Sequence, residues 1–141
     1  FQATRIPEAE YAWRQSDIYA VDVATGAIRQ LTTRSGPDGQ PTPSPDGRYI
    51  AYTGYDYTDD TWRDSRLYVM NADGSGAKRL TSDPAEERAP AWGPDGLVIG
   101  FWSNRDAQDM EVYAINLDGT GLTRLTRSPG GDADPNWRPV R

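Results

Sequence analysis

The segment "NADGSGAKRLT" (residues 71–81) returns 45 positions later, almost unchanged, as "NLDGTGLTRLT" (residues 116–126). A more distant version, "DVATGAIRQLT" (residues 22–32), precedes the first by 49 positions. Each version places a short loop of turn-forming residues before a segment that ends in Leu-Thr. Self-similarity at such a spacing is typical of proteins that are built from stacked copies of one structural unit.

A second motif keeps the same spacings along the chain. It reads "PTPSPDG" from Pro41, "PAWGPDG" from Pro90 and "PNWRPVR" from Pro135. The tyrosines at positions 19, 68 and 113 are also 49 and then 45 residues apart. Two independent motifs with one set of spacings establish an internal repeat that runs through the whole sequence.

Each repeat is predicted to form four short antiparallel strands. In the unit of residues 86–130 these are "RAPAW" (88–92), "LVIGFW" (97–102), "EVYAIN" (111–116) and a last strand that ends in "RLT" (124–126). The Pro-Asp-Gly between the first two strands presets a tight turn. No stretch keeps helical spacing for more than one turn, so we expect an all-β protein with almost no helix.

The two Asn-x-Asp-Gly sequences resemble the start of a calcium-binding loop. The later ligands and the closing Glu of that motif are missing, however. Asp73–Gly74 and Asp118–Gly119 are therefore predicted to form turns between antiparallel strands. Thr25–Gly26 occupies the matching place in the first unit with fewer side-chain oxygens.

Four-stranded units of this length, with aromatic residues and Pro-Asp-Gly turns, indicate the blades of a β-propeller. The residues "PAWGPDG", "LVIGFWSNRD" and "EVYAINLDGTGLTRLT" also resemble the blade motif of the TolB-like (WD40-like) propellers. The earlier part, "SDIYAVDVATGAIRQLT" with "PSPDGRYIAYTGYDYTDDTWRDSRLYVMNADGSG", is similar to the N-terminal propeller of acylaminoacyl-type peptidases of the prolyl oligopeptidase family. We expect the protein to depart from both families in its number of blades, and from the peptidases in having no hydrolase domain.

The repeat predicts one propeller-type domain over residues 1–141. Residues 1–36 are expected to supply strands two to four of a shared blade, 37–85 the second blade, 86–130 the third, and 131–141 the first strand of the shared blade. Three blades fall short of the usual ring of about four to eight, and open strand edges invite pairing with another chain. We expect a C2 homodimer that closes a six-bladed ring by strand exchange. A larger ring, a fragment of a longer propeller and an engineered or recombined half-propeller are the alternatives.

Composition narrows the classes of function. The net charge of −6 disfavours nucleic acid and anionic membrane surfaces as partners, because both attract clustered cations. The chain contains neither Cys nor His, which removes disulfides, thiolate nucleophiles, imidazole bases and nearly all zinc chemistry. No nucleophile elbow, P-loop or dinucleotide-binding glycine pattern is present. We therefore expect a protein that is not an enzyme and that holds no cofactor or metal.

The most distinctive irregular stretch is the loop "GYDYTDDTWRDSR" (54–66), which is four residues longer than its counterpart "SNRDAQDME" (103–111). Loops on a rigid scaffold commonly carry recognition. Its candidate binding residues combine rigid aromatic rings with acidic groups, namely Tyr55, Asp56, Tyr57, Asp59, Asp60 and Trp62. The competing interpretation is structural, because Trp62 matches Trp13 in the preceding unit and both would then pack against their blades.

Other repeated residues are predicted to be structural. Trp92 and Trp137 share one repeat position and are expected to pack between blades. Arg79 and Arg124, which precede the Leu-Thr motif, are expected to pair with turn aspartates of a neighbouring unit.

Three functions remain open at this point. The first is a non-catalytic scaffold whose rim holds a protein or peptide, which the TolB resemblance implies together with a periplasmic or secreted location. The second is the propeller of a prolyl-oligopeptidase-family serine peptidase that restricts substrate access, which would be cytoplasmic. The third is a half-propeller that assembles and binds no ligand. Fold alone does not decide among them.

Overall fold

The computed structural model describes residues 1–5, 15–56, 64–106 and 109–138. These residues form three antiparallel sheets and no helix, which confirms the predicted all-β class. The strands are β1 (Gln2–Ala3), β2 (Asp17–Val21), β3 (Ile28–Gln30), β4 (Asp38–Pro43), β5 (Tyr49–Gly54), β6 (Arg66–Asn71), β7 (Lys78–Arg79), β8 (Glu87–Trp92), β9 (Val98–Ser103), β10 (Glu111–Asn116) and β11 (Thr123–Arg124).

Each sheet is a meander of strands that are consecutive in sequence. The second sheet has the order β4-β5-β6-β7, the third has β8-β9-β10-β11, and the first contains β1-β2-β3. Equivalent residues pair in equivalent registers, with Tyr52 opposite Tyr68 and Phe101 opposite Tyr113. Because the register repeats, the same face of every sheet presents the same kind of side chain to its neighbour. The two complete sheets are four-stranded blades, as the repeat predicted.

The first strand of each complete blade carries the same irregularity. Gln40 in β4 and Ala89 in β8 adopt positive φ angles of 52° and 49°. The strand register shifts at both places, as it does in a β-bulge. Asp134 occupies the third equivalent position and has a φ of 53°. Residues 131–138 form no ladder with the described strands, yet they share the local conformation of a first blade strand.

The core lies between sheets rather than within one sheet. Ile18 and Leu31 of the first sheet pack against Tyr52, Tyr68 and Met70 of the second. A second cluster joins the second sheet to the third in the same way, through Ala51, Leu67, Val69, Trp92, Ile99, Phe101, Tyr113 and Ile115. The membership of Trp92 in this cluster confirms its predicted packing role. Every blade is thus stabilised mainly by apolar area that it buries against its neighbours.

The Asp-Gly sequences form turns between the last two strands of each blade. Asp73 Oδ1 accepts the Ser75 N–H, and Asp118 Oδ1 accepts the Thr120 N–H, both at 2.8 Å. Gly74 has a φ of 89°, and a Cβ atom there would lie 2.9 Å from the Leu31 carbonyl oxygen. Only glycine satisfies both the left-handed conformation and the close approach of the preceding blade.

The predicted pairing of Arg79 and Arg124 with turn aspartates is wrong for Arg124, which instead donates to Glu111 of its own blade at 2.8 Å. The cations that reach the next turn are Arg29 and Lys78, each of which donates to a turn carbonyl of the following blade, those of Asp73 and Asp118. These cations lie one strand position earlier than predicted. Since side chains alternate across a strand, a shift of one residue changes the face that they occupy.

The Pro-Asp-Gly turn after β4 generates a prediction about acid stability. Asp46 accepts hydrogen bonds from the Ser44 hydroxyl at 2.6 Å and from the N–H and Nε of Arg48. The Ser44 bond, followed by those from Arg48, lowers the pKa of Asp46 from 3.8 to about 2. Because the folded-state pKa is depressed, the carboxylate stabilises the fold above the unfolded value, and this contribution disappears as the pH falls towards the folded value.

Asp46→Asn should therefore lower the melting temperature at neutral pH and flatten the loss of stability between about pH 4 and pH 2. The measurement is thermal unfolding followed by circular dichroism across that range. Asp95→Asn is the matched control, because the equivalent turn has Gly93 in place of Ser44 and Leu97 in place of Arg48. An equal loss in both variants would contradict the role given to Ser44 and Arg48.

Candidate functional site

The links between blades and the connections between middle strands lie at one end of the sheets. This follows from the antiparallel order of each sheet, which places the Pro-Asp-Gly and Asp-Gly turns at the opposite end. We call the first end the upper rim and define it by the described residues 31–37, 55–56, 64–65, 80–86, 104–106 and 125–131. The opposite end is the lower rim.

The described ends of the predicted binding loop, residues 55–56 and 64–65, belong to the upper rim. Tyr55 and Asp56 follow directly after β5. The other candidates, Tyr57, Asp59, Asp60 and Trp62, lie outside the described residues, as does Trp13. The binding role of the loop therefore stays a prediction, and of its six candidate residues the structure places only Tyr55 and Asp56.

Asp56 contacts the preceding blade through an ion pair. Its Oδ1 atom accepts a hydrogen bond from Nη1 of Arg34 at 2.7 Å. The Asp56 side chain is 67% exposed, whereas that of Arg34 is 23% exposed. An ion pair with one well-solvated partner contributes little to stability, so Asp56 remains accessible to a ligand at small cost.

Arg34 is the centre of a larger polar cluster between the first and second blades. Its guanidinium lies 4.1 Å from the ring centroid of Tyr68, donates to the Tyr68 hydroxyl at 2.8 Å and pairs with Asp38. The Asp38 side chain is fully buried. Burial raises the pKa of Asp38, although Arg34 opposes the shift by hydrogen bonding and by its charge. Arg34 thus neutralises a carboxylate that is sealed between two blades.

The interface between the second and third blades contains the same chemistry with exchanged positions. Arg105 donates to buried Glu87 at 2.5 Å and to exposed Asp83 at 3.0 Å, and it lies 5.0 Å from the ring centroid of Tyr113. Asp83 stands at the repeat position of Arg34, and Arg105 stands at that of Asp56. Each interface thus has one arginine–aspartate pair across its two blades. The preceding blade supplies the arginine at the first interface and the aspartate at the second.

Burial also raises the pKa of Glu87, against the hydrogen bond from Thr81 and the charge of Arg105. Burial raises the pKa of Tyr113 to about 12, and its hydroxyl donates to Asp106 Oδ2 at 2.7 Å. Both clusters were missed by the sequence analysis. The signal that could have found them is the acidic residue that opens each first strand at the same repeat position, Asp38 and Glu87.

Tyr55, the other described candidate, lines a cleft beside the first strands of the second and third blades. These strands, β4 and β8, contact each other, and Nε1 of Trp92 donates across to the Thr42 carbonyl at 2.8 Å. We call the cleft of about 360 Å³ beside them the axial cleft. Its lining residues are Gln2, Ser16, Pro37, Gly39, Gln40, Thr53, Gly54, Tyr55, Ser65 and Arg88.

The axial cleft is held together by side-chain amides. Gln2 Oε1 accepts the N–H of Gln40 at 3.2 Å, and Gln40 Oε1 accepts the N–H of Ala89 at 3.0 Å. Each side-chain amide therefore accepts a hydrogen bond from the N–H of a bulge residue in the first strand of the following blade. The cleft combines amide, hydroxyl and guanidinium groups with one tyrosine, a set that suits the polar backbone of a peptide.

The described residues hold no cluster of three or more acidic, His or Cys side chains with the arrangement of a metal site. Among the same residues, no helix is long and apolar enough to cross a membrane.

Repeated four-stranded antiparallel blades, with cores between neighbouring sheets and ion pairs at one rim, define a β-propeller protein. The family model of the TolB beta propeller domain (PD40) matches residues 4–139. The chain belongs to this family. None of the curated proteins matches it significantly.

Solved structures give the same fold. A protein from Agrobacterium tumefaciens that is provisionally identified as TolB is 28% identical, with a TM-score of 0.68, and the match covers 86% of this chain and 46% of that one. TolB from Acinetobacter baumannii is 26% identical, with a TM-score of 0.68 and coverages of 86% and 29%. A puromycin-hydrolyzing peptidase from Mycobacterium tuberculosis is 20% identical, with a TM-score of 0.68 and coverages of 81% and 19%. The chain spans less than half the length of each.

The polar cluster around Arg34 generates a stability prediction. Arg34→Leu should destabilise the fold by about 3 kcal/mol or more, because it leaves the buried Asp38 carboxylate without its counter-ion. Asp56→Asn removes only the exposed partner of the same guanidinium and should cost less than about 1 kcal/mol. Urea unfolding of both variants measures the difference. Equal losses would show that burial does not decide the strength of these pairs.

Proposed function

We propose that this protein is a non-catalytic β-propeller scaffold that completes its ring with a second copy and binds a protein or peptide at its upper rim. The family and the fold support a scaffold. The lack of Cys and His in the sequence supports a non-catalytic role, because it leaves acyl transfer without its usual nucleophile–base pairs.

The placement of residues 131–138 supports self-assembly. The Asp132 N–H donates to the Met110 carbonyl at 2.6 Å, as the Asp38 N–H does to Ser16 at 2.7 Å. Nε1 of Trp137 donates to the Ala91 carbonyl at 3.0 Å, as Trp92 does to Thr42. The segment therefore sits against the third blade as the first strand of a further blade would, and the first sheet has three strands to which such a strand can add.

Two open faces at opposite ends of the array carry this proposal. Leu125 on the third blade is 51% exposed, whereas its equivalent Leu31 is 8% exposed because the next blade covers it. Val21 on the first blade is 47% exposed, whereas its equivalent Met70 is 1% exposed. We call the face of a blade that meets the following blade its outgoing face, and the face that meets the preceding blade its incoming face. The outgoing face of the third blade and the incoming face of the first therefore match the two faces that meet at each internal interface. A second copy would bury both.

Sedimentation equilibrium tests the assembly. We expect twice the chain mass of 15.6 kDa, and Leu125→Asp should shift the protein towards the monomer because it places a charge on the face to be buried. Val23→Asp is the control, since Val23 is 94% exposed in a turn. A wild-type protein that remains at the monomer mass at high micromolar concentration would contradict the proposal.

The binding role rests on the position of Tyr55 and Asp56, which lie at the axial cleft and at the exposed half of an ion pair. The double substitution Tyr55→Ala and Asp56→Asn should abolish capture of a protein partner by the immobilised dimer. The control replaces the lower-rim turn "NADGSGA" (71–77) with "NLDGTGL" (116–122), which keeps Gly74 and Gly76 and should leave capture unchanged. Equal capture by both variants would reject the rim as the binding surface, and a dimer that captures nothing would favour a scaffold without a ligand.

A second candidate is the propeller of a serine peptidase. The likeness to the puromycin-hydrolyzing peptidase favours it at the level of fold. In that case the propeller would limit access to a catalytic domain in the same polypeptide. A hydrolase domain encoded in the same open reading frame would support this candidate, and its absence from the full reading frame would reject it.

A further inference from the structure

An arginine stacks on the same tyrosine in every blade. The tyrosines are Tyr19, Tyr68 and Tyr113, which occupy the third strand of their blades at spacings of 49 and 45 residues. The guanidinium carbons lie 5.8 Å, 4.1 Å and 5.0 Å from the three ring centroids. The arginines are Arg5, Arg34 and Arg105, which stand at three different repeat positions. The location of the charge is therefore retained although the residue that supplies it changes.

In the two complete blades the stacked arginine has a fixed partner. Arg34 pairs with Asp38 and Arg105 pairs with Glu87. Both carboxylates open the first strand of the blade that holds the tyrosine, and both side chains are fully buried. The tyrosine ring, the guanidinium and the first-strand carboxylate thus form one recurring unit.

Among the described residues, the first sheet has the tyrosine and the arginine of this unit but no first strand that would supply the carboxylate. The repeat spacing identifies the missing acid, because Asp38, Glu87 and Asp132 are 49 and then 45 residues apart. The backbone confirms this equivalence. The N–H groups of all three donate to equivalent carbonyls in the preceding blade, those of Ser16, Ser65 and Met110, at 2.7, 3.0 and 2.6 Å.

Asp132 and Arg5 lie at opposite ends of the array of blades. Asp132 is half-buried against the third blade, and Arg5 is exposed over Tyr19 on the first. Within one copy, the second and third blades separate them. They can meet only where the outgoing face of one array joins the incoming face of another.

We infer that Asp132 of one copy forms an ion pair with Arg5 of a second copy, over the ring of Tyr19, and that this pair locks the shared blade. The inference rests on the proposed two-copy ring and names its closing contact. A two-fold ring has two such junctions, so the pair forms twice. Removal of the charge of one partner at a desolvated junction leaves the other buried and unpaired, which is costly. The contact therefore stabilises the ring and selects the correct faces.

Charge reversal tests the pair. Arg5→Asp and Asp132→Arg should each raise the dimer dissociation constant by about thirtyfold or more. An equimolar mixture of the two variants should recover dimers to within about tenfold of the wild type, because both junctions of the mixed ring then hold opposite charges. The double variant R5D/D132R should also dimerise by itself. Sedimentation velocity over a concentration series measures all four samples, with circular dichroism to confirm the fold.

Controls with the same charge changes away from the junction are Asp64→Arg and Arg79→Asp, which should leave the dimer unchanged. If the wild type dimerises and the single reversals do not weaken it, the ion pair is overturned while the ring stands. If the reversals weaken it but neither the mixture nor the double variant recovers, the pair is also overturned. A monomeric wild type overturns both the ring and the pair.

Discussion

Burial of both faces of every sheet is the constraint on which the rest of this structure depends. Each blade presents apolar residues to the blade before it and to the blade after it, so a blade is stable only between neighbours. Leu31 and Met70 show the consequence at the first interface, where each is covered by the other's blade. At the two ends of the array, the equivalent residues Leu125 and Val21 are left exposed. The proposed ring closure would therefore use the same kind of burial that makes the internal interfaces.

Polar groups at the upper rim make this burial selective. An apolar face by itself accepts any apolar partner, whereas a buried carboxylate accepts only a face that brings a cation to it. Asp38 imposes this requirement at the first interface, and Arg34 of the preceding blade satisfies it. Glu87 at the second interface receives its cation, Arg105, from its own blade, and the preceding blade gives it hydrogen bonds from Leu67 and Thr81. Burial raises the pKa of both acids, so an incorrectly matched face would leave Asp38 without its cation and Glu87 without those hydrogen bonds. The stacked tyrosines position both guanidinium groups.

The repeat predicted the architecture because it acts through local rules. Pro-Asp-Gly turns, alternating strands and equal spacings each specify a blade without reference to its neighbours, and the strand Glu111–Asn116 was predicted to the residue. The polar site was not predicted, since its members come from different blades and from non-equivalent repeat positions. Arg34 lies on the preceding blade of the first interface, whereas Arg105 lies on the following blade of the second. An alignment of the repeats therefore does not match the two arginines. The partner of Arg124 was predicted wrongly for a related reason. It depends on the face of the strand that the side chain occupies and not on the repeated motif.

The inversion of charge between the two interfaces has a further effect on assembly. Arg34 on the outgoing face of the first blade meets Asp56, while Asp83 on the outgoing face of the second meets Arg105. If the outgoing face of the first blade of one copy docked on the incoming face of the third blade of another, Arg34 would oppose Arg105. If two second blades met, Asp83 would oppose Asp56. Like charges at these positions disfavour both errors. The outgoing face of the third blade carries uncharged Ser128 at this position, so it is the one outgoing face without a charge that would repel a new partner.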